Sequence, residues 1–332
     1  MSKIGFRFMS WNLKDFGTYD YSATMEIIAQ TVIENQVDVL MIMEVVVNRS
    51  AKRLRISSTP PTDLGSAALL QLYGLLQEKD PGGNWDQYYT KNSCANQTRD
   101  AYALFFRTSP HGEPPEGAVL PDIIEIHNEF KIYRYTTDLG QPRFEGGRRP
   151  AGCNLKFSSN AAEPSVENAI LMNFHALAEK SSLSAIKRSV GDCIEVANAQ
   201  AEIQGTGAVI VSGDFNVNYK GNEDWYGSFG YHVAITTNGG SSLLAAPDFD
   251  SPNVVLAGNA FDNFLYSDDL ICADQRVISV IEAIMEGDET LESAYLRYYP
   301  THKVSDSKKA AGVSDHLPIV GDFIFNSAGP SQ

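Results

Sequence analysis

Two histidines and a set of carboxylates and carboxamides stand at the ends of apolar segments along this 332-residue chain. Asn12 follows a largely apolar run at 8–11, Glu44 one at 40–43, His175 one at 171–174, and Asp214 with Asn216 one at 209–212. Asp262 precedes a run at 264–266, and Asp315 with His316 precede one at 317–320. The ends of buried strands are where an α/β sheet presents its ligands. Imidazoles beside carboxylates suit proton transfer near neutral pH, and carboxylate and carboxamide oxygens suit hard cations. Taken singly each position says little, because a Glu after a strand is usually a solvated strand end and a lone His is more often structural. The weight lies in the ordered set: Ser10-Trp11-Asn12, Met43-Glu44-Val45, Gly213-Asp214-Phe215-Asn216 and Ser314-Asp315-His316-Leu317-Pro318.

The elements that must position these residues are legible from periodicity. Residues 4–10 alternate as a strand, 21–35 carry apolar side chains at helical spacing, and 37–43 form a near-continuous apolar run, which together predict a strand, helix, strand opening. A loop with two prolines at 57–63 precedes an amphipathic helix at 64–79. Strands are expected at 102–107, 123–129, 131–135, 154–157, 169–174, 208–212, 263–266, 275–281 and 319–325, with a helix over 181–203. The Pro- and Gly-rich stretch 108–121 and the Gly- and Asn-rich stretch 218–242 read as excursions, long enough to select a substrate. There is no internal repeat or low-complexity linker, so the expectation is one α/β domain over 1–326 with a disordered tail at 327–332.

A hydrophobic content of 43% with 20% charged residues is that of a globular protein, and the formal net charge of −15 excludes nucleic-acid binding through a broad basic face. It leaves room for a small site in which a bound metal ion is the main local positive charge. No apolar run reaches membrane-spanning length, and the first residues do not read as a secretory signal, so the expected location is cytoplasmic, with export by another route left open. Cys94, Cys153, Cys193 and Cys272 lie far apart and read as isolated thiols. Monomer is the default expectation.

The four ordered segments resemble the endonuclease/exonuclease/phosphatase superfamily, and Gly213-Asp214-Phe215-Asn216 and Ser314-Asp315-His316 match its most specific signatures. The resemblance implies a four-layer sandwich, two mixed β-sheets packed face to face with helices outside. Within the superfamily the chain is most similar to deoxyribonuclease I. Asp100 stands two residues before the aromatic Tyr102 that opens a strand, His175 is retained, and Arg148-Arg149-Pro150 matches an Arg-x-Pro motif, with Arg149 as the fallback phosphate ligand.

Hydrolysing a phosphodiester requires an activated water, neutralisation of charge on the phosphoryl oxygens and protonation of the leaving alkoxide. The resemblance assigns His316, oriented by Asp262, as general base and His175, oriented by Asp100, as general acid. Asp214 and Asn216 lie between them. Asn216, Arg148 and Tyr102 are implied phosphate contacts, although Tyr102 also reads as a core strand residue. Glu44, Asn12 and Asp315 are the implied ligands of Mg²⁺ or Mn²⁺, with Ca²⁺ admitted as a structural ion. The implied activity is a metal-dependent endonuclease acting on DNA.

Two positions depart from that pattern. Val46 replaces an arginine that enters the minor groove, and Thr98 replaces an aromatic that stacks on a sugar. Arg49, Lys52, Arg53 and Arg55 are the nearby cations that could touch phosphates instead. A phospholipid phosphodiesterase of the sphingomyelinase kind is the nearest rival, with Trp225, Tyr226 and Phe229 as its candidate membrane patch. An inositol-phosphate phosphatase and a non-enzymatic scaffold are weaker ones, the last because every position of the catalytic set is retained.

Overall fold

The computed structural model describes residues 3–17, 22–46, 54–55, 64–90, 100–133, 148–160, 164–177, 181–236, 240–244, 247–285, 289–299 and 313–326. Cys94, Thr98, Arg49, Lys52, Arg53, His302, the loop at 57–63 and the tail at 327–332 lie outside them, and of Arg55 only the backbone is described.

In chain order the elements are β1 (Gly5–Phe16), α1 (Ser22–Glu34), β2 (Val39–Val45), β3 (Leu54–Arg55), α2 (Leu64–Lys79), β4 (Trp85–Tyr89), β5 (Ala101–Arg107), β6 (Ile123–Ile126), β7 (Lys131–Ile132), β8 (Ala151–Ser159), β9 (Ser165–Asn173) and α3 (Leu183–Gln204). They continue with β10 (Val209–Asp214), α4 (Glu223–Gly227), β11 (His232–Val233), β12 (Ser242–Leu243), β13 (Ala257–Asn259), β14 (Asp262–Tyr266), β15 (Leu270–Val277), α5 (Val280–Ala283), α6 (Leu291–Tyr298) and β16 (Ile319–Phe325). The first sheet runs β15-β16-β1-β2-β5-β4-β3 and the second β11-β14-β10-β9-β8-β6, with β7 also on β8. Each sheet has one parallel pair, β1 with β2 and β9 with β10, and all other neighbours are antiparallel. A parallel pair needs a crossover, and α1 and α3 supply the two.

Strand alternation builds the layers. Phe6 and Phe8 of β1 point one way, to meet Phe157, Phe264, Phe323 and Phe325, while Met9, Trp11 and Leu13 point the other way, under α1 and α2. In the second sheet Leu171 and Ile210 join the inner layer, and Ile170, Met172, Val209 and Val211 pack under α3 through Val190, Cys193, Ile194 and Ala197. The inner layer is aromatic at its centre. Phe6 stacks on Phe157 with centroids 4.4 Å apart, and Phe8 meets Phe264 at 5.3 Å. The result is helices, sheet, sheet, helices, a mixed α/β four-layer sandwich. No helix of the described residues is long and apolar enough to cross a membrane.

Several expectations shift in detail. The segment read as a strand over 275–281 is the end of β15, which starts at Leu270 and gives way to the short α5. The strand expected over 123–129 stops at Ile126, and the one over 131–135 is described only as the two-residue β7. The excursion 108–121 is tied to the start of β1, where Gly5 N donates to Val119 O at 2.9 Å. Cys153, Cys193 and Cys272 are free thiols.

At the end where β2 begins and β5 finishes lies a buried ionic cluster. Arg107 Nε donates to Asp80 Oδ2 at 2.7 Å, its Nη1 lies 3.5 Å from Asp38 Oδ1, and Trp85 Nε1 donates to the same Asp80 oxygen at 3.0 Å. Arg107, Asp38 and Asp80 are all buried. Burial pushes the Asp38 carboxyl up to about 6, against the opposing pull of the Arg7 backbone N–H and of Arg107.

Candidate active site

The inner layer changes chemistry along its length. Ser10 follows Phe6 and Phe8 on the same face of β1, and Asn12 follows Ser10. On β9 the sequence is Leu171, Asn173, His175; on β10, Ile210, Ser212, Asp214. Asn173 Nδ2 donates across the sheets to Ser10 Oγ at 3.1 Å, marking the border between apolar core and polar end. The carboxyl ends of all four parallel strands and the amino ends of their antiparallel neighbours β5, β8, β14 and β16 meet there. Register alone places Asp262 opposite Asp214. The structure therefore brings Asn12, Glu44, Asp100, Tyr102, Arg148, His175, Asp214, Asn216, Asp262, Asp315 and His316 to one end of the sandwich.

Glu44 is the exception to alternation. Leu40 and Ile42 face the helices, and Glu44 would follow them, but it adopts a left-handed φ of 59° where the β2–β5 register shifts. That bulge aims its carboxylate inward, where Oε1 accepts from Asn12 Nδ2 at 3.0 Å. Lys14 and Asp15 at the end of β1 and Asn216 after β10 also have positive φ, so strained backbone gathers around the site.

Asp214 is the hub. Its Oδ2 accepts from Asn12 Nδ2 at 3.3 Å and lies 3.7 Å from both His175 Nε2 and His316 Nε2. Its Oδ1 accepts from the Asn216 backbone N–H at 3.0 Å, and Asn216 Nδ2 is a buried donor with no hydrogen-bond partner among the described residues. Gly213 makes this placement possible. Its φ is +139°, and a Cβ there would stand 2.1 Å from Phe174 O, a backbone atom that cannot yield. Gly213→Ala is expected to lower unfolding free energy by at least about 2 kcal/mol in chemical denaturation, from strain and overpacking together. A loss within about 0.5 kcal/mol, the level of a neutral surface change, would contradict that reading.

His175 lies with Nδ1 3.3 Å from Asp100 Oδ1 and Nε2 3.5 Å from Glu44 Oε1. Arg148 Nη1 donates to His175 Nε2 at 2.6 Å and to Ala176 O at 2.5 Å. A guanidinium has no acceptor, so Nε2 carries a lone pair and the imidazole proton sits on Nδ1, toward Asp100. Burial pushes the Asp100 carboxyl up, but His175 and Arg148 outweigh it and hold it below its ordinary value. Tyr102 is placed behind His175 rather than at the opening. Its side chain is 1% exposed in the inner core, and its hydroxyl accepts from His175 N at 3.1 Å. A ring so enclosed braces the histidine backbone and does not reach a phosphate.

His316 Nδ1 is 2.8 Å from Asp262 Oδ2, and its Nε2 is 4.0 Å from Asp315 Oδ1. Burial opposes the imidazolium, but Asp262, Asp214 and Asp315 together raise it to about 10. These carboxylates favour the imidazolium form of His316, and Nδ1–H donates to Asp262. Its ordinary value is about 6.5. The stabilisation from the raised folded-state value is thus fully present below about 6.5 and lost as pH rises through about 10. In EDTA, wild-type Tm is expected to fall between pH 7 and 10 more steeply than that of His316→Gln. Parallel profiles would contradict this.

Lys14 was not singled out by sequence. Its Nζ pairs with Asp315 Oδ2. Burial lowers its pKa, but Asp315 and Glu44 outweigh it and hold the ammonium above its usual range. Asp315 therefore sits with Lys14 and His316, while Glu44 sits with Asn12 and faces His175. Ser241 was also missed. It is fully buried, and its Oγ donates to Asp262 Oδ2 at 2.7 Å.

Among the described residues no three His, Cys, Asp or Glu side chains converge as a ready-made metal cage, for a catalytic or a structural ion. A Mg²⁺-type ion asks for less, since it keeps several waters and takes one or two carboxylates. Glu44 with Asn12 and Asp214 alongside fits that requirement. Carboxylates also outnumber cations: Glu44, Asp100, Asp214, Asp262 and Asp315 face Lys14, Arg148 and protonated His316. The aromatics of the 218–242 stretch pack inward, with Tyr226 fully buried, Trp225 and Phe229 edge to face, and Lys187 over the Trp225 ring. His111 pairs with Asp80 and His232 with Asp268, outside the site.

No protein-family model matches this chain, and no curated protein matches its sequence. Solved structures do match its fold. An endonuclease/exonuclease/phosphatase family protein from Bacteroides thetaiotaomicron superposes with a TM-score of 0.57 at 15% identity, covering 98% of this chain and 100% of that one. A mannosyl-6-phosphatase from the same organism gives 0.55 at 16%, covering 96% and 100%. D. rerio TDP2 complexed with a single-strand DNA product gives 0.53 at 12%, covering 96% and 98%. The chain has the endonuclease/exonuclease/phosphatase fold.

Proposed function

We propose that this chain is a divalent-metal-dependent phosphodiesterase and that its substrate is DNA. The observation that carries the reading is the pair of carboxylate-backed histidines whose Nε2 atoms face one Asp214 oxygen from the two sheets, each 3.7 Å away. Bound beside Glu44 and Asn12, a divalent ion would supply charge neutralisation at the phosphoryl oxygens. Arg148 and Asn216 Nδ2, which has no partner among the described residues, are the donors for those oxygens, and an acceptor there would satisfy a buried amide that otherwise carries a desolvation cost.

The proton inventory supports acid and base roles opposite to those the sequence resemblance implies. His175 Nε2 holds a lone pair and accepts from Arg148; once Arg148 turns to the phosphate, that lone pair can take a proton from the attacking water. Protonated His316 gives its Nε2 proton to the leaving oxygen as the P–O bond breaks. Arg148 sets the tautomer of His175, whose other ring nitrogen faces Asp100, and Asp262 sets that of His316. One proton enters the site and one leaves, so the pair returns to its starting charge after an exchange with solvent.

The same fold is found in a mannosyl-6-phosphatase and in TDP2 complexed with a single-strand DNA product. The retained His175 with its Asp100 and Arg148 partners supports a phosphodiesterase and is shared by the lipid reading, so the choice of DNA rests on the resemblance to deoxyribonuclease I. Tyr226 is buried and Trp225 and Phe229 are half-buried against the α3 side of the second sheet, which does not favour a projecting membrane patch. Incubation with supercoiled plasmid in Mg²⁺ or Mn²⁺, beside mannose 6-phosphate and inositol phosphates, tests this choice. Nicking with little phosphate release from the monoesters is expected. Phosphate release without nicking would replace DNA by a phosphomonoester.

A further inference from the structure

We infer that Ser241 is a positioning residue for the Asp262–His316 pair, a role whose kinetic consequence rests on the phosphodiesterase reading and whose structural consequence does not. Ser241 Oγ accepts from Asp262 N at 3.0 Å and lies 2.7 Å from Asp262 Oδ2. The backbone N–H can only donate, so the hydroxyl proton is directed to the carboxylate. The same Oδ2 receives His316 Nδ1–H at 2.8 Å. One carboxylate oxygen thus takes two donors from opposite neighbours, which fixes its rotamer and its charge.

Ser241 is itself held on both sides. Its N donates to Asn259 O at 2.9 Å, and its O accepts from Leu317 N at 2.8 Å, one residue beyond His316. Ser242 bridges to His316, and Leu243 N donates to Asp315 O at 2.8 Å. Gly240 lets this strand approach β13, since a Cβ there would stand 2.6 Å from Ala257 C. The Gly- and Asn-rich stretch 218–242 therefore ends by clamping the segment that carries His316. The hydroxyl lies on the Asp side of the histidine and is fully buried, which excludes it as the nucleophile of a Ser–His–Asp triad, where serine lies on the other side.

The test uses the full chain as wild type, Ser241→Ala and Ser241→Cys, whose thiol is a weak donor. In EDTA at a fixed pH near 7, NMR of ¹⁵N-histidine-labelled protein follows the His316 Nδ1–H resonance, assigned by its loss in His316→Asn. A low-field signal is expected in wild type, shifted upfield or lost to exchange in Ser241→Ala and moved the same way in Ser241→Cys. If Ser241→Ala does not fold, the Cys variant decides alone. An unchanged resonance overturns the inference. With bis(p-nitrophenyl) phosphate and Mn²⁺, Ser241→Ala is expected to lower kcat by about tenfold at unchanged KM. In an Asp262→Asn background it adds no further loss; a full additional loss would show that Ser241 acts independently and overturn the inference. Should wild type cleave no phosphoester, the functional reading fails and the NMR arm alone judges Ser241.

Discussion

His316→Ala is expected to lower kcat for phosphodiester hydrolysis by about 10³-fold, and adding His175→Ala to it is expected to lower kcat little further. The size follows from removing a positioned proton donor, which contributes about 10²–10⁴-fold. The lack of additivity follows from geometry: both Nε2 atoms face Asp214 Oδ2 at 3.7 Å, so they act on one phosphoryl group and one proton circuit. Steady-state kinetics of both single variants and the double variant check this. Losses that multiply would mean the two imidazoles serve separate steps. Near-full activity in His316→Ala would remove it from the chemistry.

Arg107→Met is expected to lower unfolding free energy by about 3–5 kcal/mol in chemical denaturation, because it removes the buried cation between Asp38 and Asp80 and leaves them the Arg7 backbone N–H, the Trp85 indole N–H and the exposed His111. The side chain sits at the end of β5 opposite the site, so the folded variant keeps its kcat. The deficit has a pH signature. Burial already pushes Asp38 up to about 6 beside Arg107, from an ordinary value near 3.8. Arg107 holds the Asp38 carboxyl down, so without it the carboxyl rises further, and the deficit shrinks as pH falls through about 6, below which Asp38 is protonated in both proteins. A deficit that does not change with pH, or one below about 1 kcal/mol, would show that Trp85 and the backbone carry the cluster without the guanidinium.

Much of this was legible in sequence because strand alternation reports both core and site. Phe6, Phe8 and Asn12 share a face of β1, and Leu171 and His175 share one of β9, so an apolar run ending in a polar residue marks the open end of the inner layer. Gly213 is legible through its motif, and the structure supplies the reason, a backbone approach that no side chain tolerates. What sequence hid has physical causes. β4 alternates Trp85, Gln87, Tyr89 inward, and the buried polar Gln87 masks the period. Tyr102 carried two readings, core residue and phosphate ligand, and only its enclosure behind His175 decides between them. Ser241 lies in a Gly-Gly-Ser-Ser run that reads as solvated loop, and its burial comes from β13 and His316, both remote in sequence. Lys14 reads as a surface lysine because only the backbone turn after Asn12 brings it to Asp315.

The proposed acid and base roles depend on the field of several side chains, which no single segment of the sequence carries. Asp262, Asp214 and Asp315 come from three segments, and together they overcome the burial that would discharge His316. Arg148, from a fourth, sets the tautomer of His175.

The most direct measurement is hydrolysis of bis(p-nitrophenyl) phosphate by the purified chain in Mg²⁺, in Mn²⁺ and in EDTA, with His316→Ala beside it. Release of p-nitrophenol is expected to require the metal and to fall by about 10³-fold in the variant. Release that persists in EDTA, or that survives in His316→Ala, would contradict the proposed function.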